Sequence, residues 1–396
     1  MGFRSLGQLA EYRAANNREQ VFLWSPEQQL SMTYGAFYQR AEDLARRLRE
    51  DGLTKGKRVA LLLENGIPWA TSFFGIVLAG GVVVPLNPCF KPSEIAALLA
   101  QAKVQAVITD RQKASILPPE FREKRAEQDQ KKGDKPAELL VVAVAKKNIA
   151  KAASQPDCPL NDEVLLLFTS GSTGRSKGVV LTHGNLLAEA GFIQQGHQLT
   201  NDDIVLCILP FFHINGLVIT FISTLFTGGQ AVVPHKFSAR KFWQWVNEYQ
   251  VTWFSAVPTI LSILLSNEDP AILSSRLRFA RSASSSLPEV VLKKFEERFQ
   301  VPVIESYGLS ETGSQVATNP LPPGRRKAGS VGLPVGNKIC LVDEFDQPVP
   351  PGVSGEVIIK GDNVTRGYLD NTQANRESFK RGWPEYCPDI PGLHCP

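Results

Sequence analysis

The chain has little excess charge of either sign, since 43 lysine and arginine residues stand against 39 aspartate and glutamate residues and leave a formal net charge of +4 over 396 residues. So small a surplus does not give the basic surface that nucleic-acid binding requires. Cysteine is also scarce: there are six residues, with no C-x-x-C pair and no histidine at zinc-ligand spacing. This scatter argues against a zinc site and a disulfide framework, and it predicts reduced thiols in an intracellular protein.

Long apolar runs and targeting segments are missing as well. The longest apolar stretch, residues 214–226, contains Asn215 and several hydroxyl residues and is too short to span a bilayer. The N-terminus has no apolar segment of the secretory type, and Leu6 stands where myristoylation needs serine or threonine. The last three residues are not a Ser-Lys-Leu type peroxisomal address. These absences predict a cytoplasmic protein without a transmembrane segment, and they leave the oligomeric state open.

What is present is an ordinary globular composition, with 43% hydrophobic and 21% charged residues. Short β-branched runs alternate with segments of helical periodicity up to about residue 325, which predicts an α/β fold with parallel sheets covered by helices on both faces. The predicted strands are 58–63, 82–86, 104–109, 164–168, 204–209, 231–234, 251–255, 277–281 and 301–306, and the predicted helices are 34–50, 92–102, 183–195, 238–249, 259–265 and 289–299. Glycine and proline then become frequent around strands at 338–342 and 355–360. The sequence therefore predicts α/β lobes over 1–325, a small β-rich lobe over 326–383 and a tail over 384–396.

A run of small and hydroxyl residues follows the predicted strand at 164–168 directly. Its hydroxyls and unobstructed backbone N–H groups suit phosphate oxygens, and Lys177 adds a positive charge. The run is not a Walker A loop, because Lys177 lies between Ser176 and Gly178 and no serine or threonine follows it. A flexible Ser/Gly linker is the alternative, but linkers do not normally sit between a strand and a helix. The residues of the run are Thr169, Ser170, Gly171, Ser172, Thr173 and Gly174.

The segment TSGSTGRSKG resembles the phosphate-binding signature of the adenylate-forming, or AMP-binding, superfamily that includes the acyl-CoA synthetases. Further segments follow in the order of that superfamily: LPFFHINGL, RSASSSLPE, ESYGLSETG, GSVGLPVG and residues 355–379. The resemblance implies the large N-terminal α/β domain of these enzymes. It also implies ATP-dependent activation of a small-molecule carboxylic acid to acyl-AMP and then acyl-CoA, with Mg²⁺ as the metal and coenzyme A as co-substrate.

The resemblance implies roles for individual residues. Tyr307 offers a ring that can stack on a purine, and Gly308 lets the backbone approach a ligand. The implied catalytic residues are Lys177, His213, Ser310 and Glu311, with Glu311 and Thr169 as the metal ligands. The implied ATP contacts are Thr169, Ser170, Gly171, Ser172, Thr173, Gly174, Lys177, Ser285, Glu305, Ser306, Tyr307, Gly308 and Ser310, and the implied substrate pocket contains His213, Ser284 and Gly308.

Structural alternatives stand beside these roles. A lone histidine such as His213 is more often a core residue than a substrate contact. The serines of RSASSSLPE can serve as a turn that caps the next helix, and Glu311 can be a helix-capping acid. Residue types alone therefore do not decide whether these side chains contact a ligand or only stabilise the fold.

Local segments resemble the oxalate-CoA ligase branch most, with the fatty acyl-CoA synthetases next. Where the superfamily commonly carries Gly-Ala-Ala-Pro, this chain has Ala283 followed by three serines, and a polar turn beside His213 suits a small polar acid. Asn215 and the Gly313-Ser314 pair depart from the branch, since a histidine is usual near the second position. The sequence predicts a small polar acid but does not identify it.

The resemblance stops after Trp383. The superfamily continues into a Thr-Gly-Asp segment that holds the ribose and into a mobile C-terminal domain with a catalytic lysine, and residues 384–396 match neither. We expect acid activation to be slowed without these groups, since one positioned electrostatic group contributes ~10²–10³ in rate. A non-catalytic nucleotide- or acyl-binding protein is the second hypothesis. A P-loop kinase or ATPase is a third, disfavoured by the missing Walker pattern.

Overall fold

The computed structural model describes residues 2–121, 140–143, 156–169, 176–267, 274–379 and 393–394. The chain divides into two compact units, Met1–His183 and Gly184–Pro396. The predicted loop residues Ser170, Gly171, Ser172, Thr173 and Gly174 lie outside the described ranges, as do most of the predicted tail and the charged run at 122–135. The predicted division at 325 and 383 stays a prediction.

The first unit contains an open sheet with helices between its strands. Its helices are α1 (Leu6–Asn16), α2 (Tyr34–Glu50), α3 (Ile67–Leu78), α4 (Pro92–Gln101) and α5 (Arg111–Ala114). Its strands are β1 (Val21–Ser25), β2 (Leu30–Thr33), β3 (Arg58–Leu62), β4 (Val82–Pro85), β5 (Ala106–Thr109), β6 (Leu140–Ala143), β7 (Glu163–Thr169) and β8 (Lys177–Thr182).

Apolar sequence runs explain this sheet. Strands β3, β4, β5 and β7 are parallel where they pair, and the order across the sheet is β6-β5-β3-β4-β7-β8 with antiparallel strands at both edges. Helix α2 begins after Thr33, whose hydroxyl accepts a hydrogen bond from the N–H of Ala36 at 3.2 Å. It buries Phe37, Ala41 and Ala45 at the four-residue spacing of one helical face. The periodic helix and the continuous apolar strands together form a core covered on both faces.

A buried histidine ends the first unit. His183 is 2% exposed, and its Nδ1 accepts a hydrogen bond from the backbone N–H of Leu6 at 3.2 Å. Burial lowers the pKa of His183 from 6.5 to about 4. The unfolded chain therefore binds a proton between these pH values that the folded chain does not bind, and acid must weaken the fold in this window.

We expect His183 to remove about 2 kcal/mol from the free energy of unfolding between pH 8 and pH 5. Urea denaturation of the parent and of His183→Asn at the two pH values measures this contribution, because asparagine keeps an acceptor for the Leu6 N–H and does not titrate. The buried ring of His197, whose pKa burial also lowers, remains in both proteins and cancels. An identical loss in parent and variant would contradict the assignment.

The second unit contains a mostly parallel sheet that ends in antiparallel strands. Its helices are α6 (His183–His197, which begins at the last residue of the first unit), α7 (Ser223–Thr227), α8 (Ala239–Glu248), α9 (Pro258–Ser266), α10 (Glu289–Phe299) and α11 (Thr372–Ser378). Its strands are β9 (Ile204–Leu206), β10 (Gln230–Val232), β11 (Trp253–Ala256), β12 (Phe279–Ser282), β13 (Val303–Tyr307), β14 (Ala317–Thr318), β15 (Ser330–Pro334), β16 (Lys338–Val342), β17 (Glu356–Lys360) and β18 (Leu393–His394).

Strands β10, β9, β11, β12 and β13 lie side by side and parallel, so their carboxyl ends share one edge of the sheet. Strands β14, β15 and β18 continue the sheet antiparallel. Strands β16 and β17 form a separate antiparallel pair. In open α/β sheets ligands bind outside the carboxyl ends of the strands, so this edge is where a site is expected.

The predicted α/β class is confirmed, and the predicted strands and helices lie within a few residues of the observed ones. The apolar stretch at 214–226 contains a π-helix, Asn215–Ile222, that the sequence does not predict. Cys89, Cys158 and Cys207 are free thiols, but Cys340 is disulfide-bonded, so the expectation of reduced thiols is wrong at that position. Of the helices within the described ranges, none has the length and apolarity to cross a membrane.

Candidate functional site

In the first unit, the ends of the predicted phosphate loop are held by a strand pair. Thr169 ends β7 and Lys177 begins β8, and the two residues face each other in the antiparallel ladder. The Thr169 hydroxyl donates to the carbonyl of Lys177 at 3.4 Å. Next to them, the carbonyl of Ser176 accepts a hydrogen bond from the side chain of Gln101, at the end of α4, at 3.0 Å. The residues at the two ends of the predicted loop are thus held next to each other, and the phosphate-binding role of the loop stays a prediction.

In the second unit, four predicted residues stand on one turn after β13. The turn runs from Tyr307 to Gln315 and contains a 3₁₀ helix, Ser310–Thr312. The N–H of Val316 donates to the carbonyl of Tyr307 at 2.8 Å and closes it. A Cβ at Gly308 would overlap the carbonyl oxygen of Ser314, so packing inside the turn already requires glycine there. The sequence interpretation of Gly308 as a point of ligand approach stays a prediction beside this structural reason.

Glu311 is held from two sides. Its carboxylate oxygen Oε1 accepts a hydrogen bond from Tyr368 Oη at 2.7 Å, and its backbone carbonyl accepts one from the N–H of Thr365 at 2.7 Å. Burial and then the bond to Glu311 raise the pKa of Tyr368 to about 12, so the phenol stays protonated and donates. Sequence reasoning missed Tyr368 and Thr365, because they lie more than fifty residues from Glu311 in the chain.

These contacts fit a metal ligand. Tyr368 occupies only Oε1, and Oε2 of Glu311 has no hydrogen bond among the described residues. In the described part of the chain no three His, Cys, Asp or Glu residues cluster as a closed metal cage. Mg²⁺ is commonly held by one or two carboxylates together with substrate phosphates, which a single presented carboxylate allows.

Two other predicted ATP contacts have their side chains committed to the scaffold. The buried Glu305 accepts a hydrogen bond from the N–H of Gly329 at 3.0 Å, and burial raises its pKa. The hydroxyl of Ser306 lies 2.8 Å from that of Thr318 on β14. Each side chain thus has at least one contact with the scaffold, and the predicted contacts of Glu305 and Ser306 with a nucleotide stay predictions.

The serine turn follows β12 at the same edge of the sheet. Ser284, Ser285 and Ser286 are all exposed, and Ser284 has the left-handed backbone angle φ of +74°. His213 lies in the segment after β9 and is also exposed, with its ring 4.5 Å from the ring of Phe212. The core-histidine alternative for His213 therefore does not describe this side chain. The register that pairs Ser282 of β12 with Glu305 of β13 places the serine turn beside the start of the Tyr307–Gln315 turn.

A buried polar network lies beneath this edge, and sequence reasoning missed it. Arg281 is 1% exposed, and its Nη1 donates to Asn215 Oδ1 and to Ser255 Oγ, both at 3.1 Å. Its Nε donates to Gln315 Oε1 at 3.2 Å. Asn215 in turn donates from Nδ2 to Ser284 Oγ at 3.1 Å. The signal in the sequence was Arg281, the second arginine of LRFARS, which a buried strand tolerates only with partners.

The network continues to a buried carboxylate on α6. Glu189 is fully buried and accepts hydrogen bonds from the N–H of Gln315 at 2.6 Å and from Asn363 Nδ2 at 2.7 Å. Burial raises the pKa of Glu189, while these hydrogen bonds and the charge of Arg281 oppose the rise. Glu189 thereby ties the end of the Tyr307–Gln315 turn to the segment around Asn363.

The family described as AMP-binding enzyme matches residues 10–369 of the chain. A sulfoacetate–CoA ligase of Cupriavidus necator is 36% identical over 96% of this chain and 74% of that protein. An oxalate–CoA ligase of Arabidopsis thaliana is 33% identical over 89% of this chain and 70% of that protein. The N-terminal domain of FACL13 from Mycobacterium tuberculosis superposes with a TM-score of 0.82 at 25% identity, over 96% of this chain and 95% of that one. The fold that the motifs predict is confirmed by this superposition.

Proposed function

The chain belongs to the AMP-binding enzyme family, and on that premise we propose that it activates a carboxylic acid with ATP. A carboxylate oxygen of the acid attacks the α-phosphorus, the bond to the bridging oxygen breaks, and pyrophosphate leaves with the bonding electrons. The thiol sulfur of coenzyme A then attacks the acyl carbon, the bond from that carbon to the phosphate oxygen breaks, AMP leaves with the bonding electrons, and the thiol proton is released. The observation that carries this proposal is the gathering of Ser284, Tyr307, Ser310 and Glu311 after the carboxyl ends of β12 and β13.

The turn after β13 supplies the proposed contacts with the nucleotide. The ring of Tyr307, half-buried at the strand end, offers a stacking face for adenine. The hydroxyl of Ser310 donates to an α-phosphate oxygen, where negative charge increases during attack. When bound, Mg²⁺ neutralises phosphate charge, and Glu311 with Thr169 would hold it. In the first unit, Lys177 and the loop after Thr169 contact phosphate oxygens.

For the acid, we propose a short polar carboxylate. The exposed serines that replace small apolar residues after β12 support this choice, together with His213 on the same edge. The named relatives act on sulfoacetate and oxalate, and both compounds are short acids with a second anionic group. Ser285 stays a predicted ATP contact.

Acid-dependent exchange of radiolabelled pyrophosphate into ATP tests the proposal, with sulfoacetate, oxalate and a long-chain fatty acid as candidate acids. We expect exchange that depends on a short acid, and we expect Glu311→Gln to lower it by about 10². Glutamine keeps an acceptor for Tyr368 and removes only the charge, so the change reports the metal ligand. Glu344→Gln, at an exposed position away from the turn, is the matched control and leaves exchange unchanged.

Other outcomes separate the alternatives. Saturable ATP binding by calorimetry without exchange for any acid would favour the non-catalytic binding protein. Phosphate release from ATP in the absence of acid would favour an ATPase. Equal exchange in the parent and Glu311→Gln would remove Glu311 from the reaction.

A further inference from the structure

We propose that Ser284 is a specificity-determining residue that donates its hydroxyl proton to an acceptor oxygen of the acid, and that buried Arg281 fixes this direction through Asn215. The inference rests on the proposed function and names the acid class further: a short acid with a second acceptor group beyond the reacting carboxylate. Arg281 and Asn215 are positioning residues, since neither side chain is exposed.

The donor and acceptor roles in the network are set by Arg281, because a guanidinium can only donate hydrogen bonds. Its Nη1 lies 3.1 Å from Asn215 Oδ1 and 3.1 Å from Ser255 Oγ. The Ser255 hydroxyl accepts from Arg281, so its own proton goes to Asn215 Oδ1, at 2.9 Å. Two donors therefore converge on one side of the Asn215 amide, and that side must be the oxygen.

The orientation of the Asn215 amide then decides the role of Ser284. A flipped amide would set its NH₂ group against the Arg281 and Ser255 donors and leave them without an acceptor in a buried site. Asn215 Nδ2 consequently faces Ser284 and donates to its Oγ at 3.1 Å. The Ser284 oxygen is used as an acceptor, and its single proton remains for another partner. No acceptor for that proton occurs among the described residues.

The backbone at Ser284 gives independent support. A φ of +74° is unusual for a residue other than glycine and costs on the order of 1 kcal/mol. Such strain persists where the surrounding structure requires it, and it clusters at ligand sites. Here it holds an exposed hydroxyl within reach of a buried amide.

An acid that places an anionic acceptor oxygen at Ser284 gains a charge-assisted hydrogen bond from the neutral hydroxyl. We expect such a bond to raise the affinity for the acid roughly 10- to 100-fold. An acid with an ammonium group at that position can use only the second lone pair of the Ser284 oxygen, and it leaves the hydroxyl proton without an acceptor. The direction in which the Ser284 hydroxyl donates its hydrogen bond therefore selects between acids of similar size.

Three variants test the proposal by the exchange reaction and by calorimetric binding of sulfoacetate. Ser284→Ala, at an exposed position that does not threaten folding, is expected to raise the KM for sulfoacetate at least tenfold and to leave the KM for ATP unchanged. In Asn215→Asp the side chain presents a carboxylate oxygen both to Arg281 and Ser255 and to Ser284. The Ser284 hydroxyl then donates its proton to residue 215 and no longer to the acid. We expect a similar loss for sulfoacetate and a selectivity shift of tenfold or more toward β-alanine. Ser266→Ala, an exposed serine on α9, is the matched control.

The outcomes are distinct. An unchanged KM for sulfoacetate in Ser284→Ala, in a parent that catalyses exchange, overturns the inference and leaves the proposed function intact. A parent that neither exchanges nor binds a short acid overturns both. The double variant Ser284→Ala with Asn215→Asp tests whether Asn215 acts through Ser284. If its KM for sulfoacetate is no higher than that of Ser284→Ala alone, Asn215 acts through Ser284. If Asn215→Asp raises the KM by the same factor in the Ser284→Ala background as in the parent, Asn215 acts independently of Ser284.

Discussion

Replacing Gly308 by alanine is expected to destabilise the second unit by about 3–5 kcal/mol. The added Cβ would overlap the backbone carbonyl of Ser314, and the backbone cannot move aside as the end of a flexible side chain can. The strand end and the turn would have to separate, which breaks the closing hydrogen bond between Val316 and Tyr307. Urea unfolding followed by tryptophan fluorescence measures the change.

The control for this substitution is Gly191→Ala, within α6 of the same unit. A Cβ there would meet only Phe226 Cζ, at an ordinary 3.8 Å, so alanine fits and is expected to stabilise the helix by about 0.5–1 kcal/mol. If Gly308→Ala kept the stability of the parent while pyrophosphate exchange disappeared, ligand approach and not internal packing would explain the glycine.

Gly308 also illustrates what sequence reasoning can and cannot decide. The motif ESYGLSETG predicts a glycine at which the backbone can approach a ligand, and the structure has a turn there that the sequence analysis did not predict. The motif does not reveal the packing reason for the glycine, because the obstructing atom belongs to Ser314 on the returning arm. Strands such as β3 and β4 were predictable for a simpler reason: continuous apolar runs between polar segments are what parallel sheets need.

Helix α3 shows the opposite case. Every residue from Trp69 to Leu78 is buried, so no polar face marks a helical period, and the sequence pattern alone gives no helix there. The π-helix at Asn215–Ile222 was missed for the same reason, since it lies within the buried stretch at 214–226. Hydrophobic periodicity identifies helices and strands that have a solvent-exposed face, and it does not identify elements that are buried on all sides.

The buried network around Arg281 could not be predicted from the sequence for another reason. The partners of Arg281 lie 26 to 66 residues away from it in the chain, and only the fold brings them together. These partners are Asn215, Ser255 and Gln315. A charged residue inside an apolar run does predict a buried partner. It does not say which segment supplies that partner, and here the nearest compensating carboxylate is on α6.

Replacing that carboxylate is the second large effect that we expect. Glu189→Leu should destabilise the second unit by about 3–5 kcal/mol, because it removes a buried acid that is hydrogen-bonded at both oxygens and that lies near the buried Arg281. It also leaves the N–H of Gln315 without its acceptor, whereas Asn363 Nδ2 keeps the carbonyl of Thr312 at 2.8 Å. Urea unfolding at neutral pH measures the loss.

A double variant separates charge compensation from lost hydrogen bonds. If the uncompensated guanidinium is the main cause, Glu189→Leu combined with Arg281→Leu will be more stable than the additive sum of the two single changes by 1 kcal/mol or more, on the order of a coupled pair. Additive losses would instead mean that the two residues stabilise the fold separately. Coupling would imply that the turn carrying Ser310 and Glu311 is anchored from beneath by Arg281 and Glu189, which both hydrogen-bond Gln315, so that the position of the proposed metal ligand depends on a buried side chain of α6.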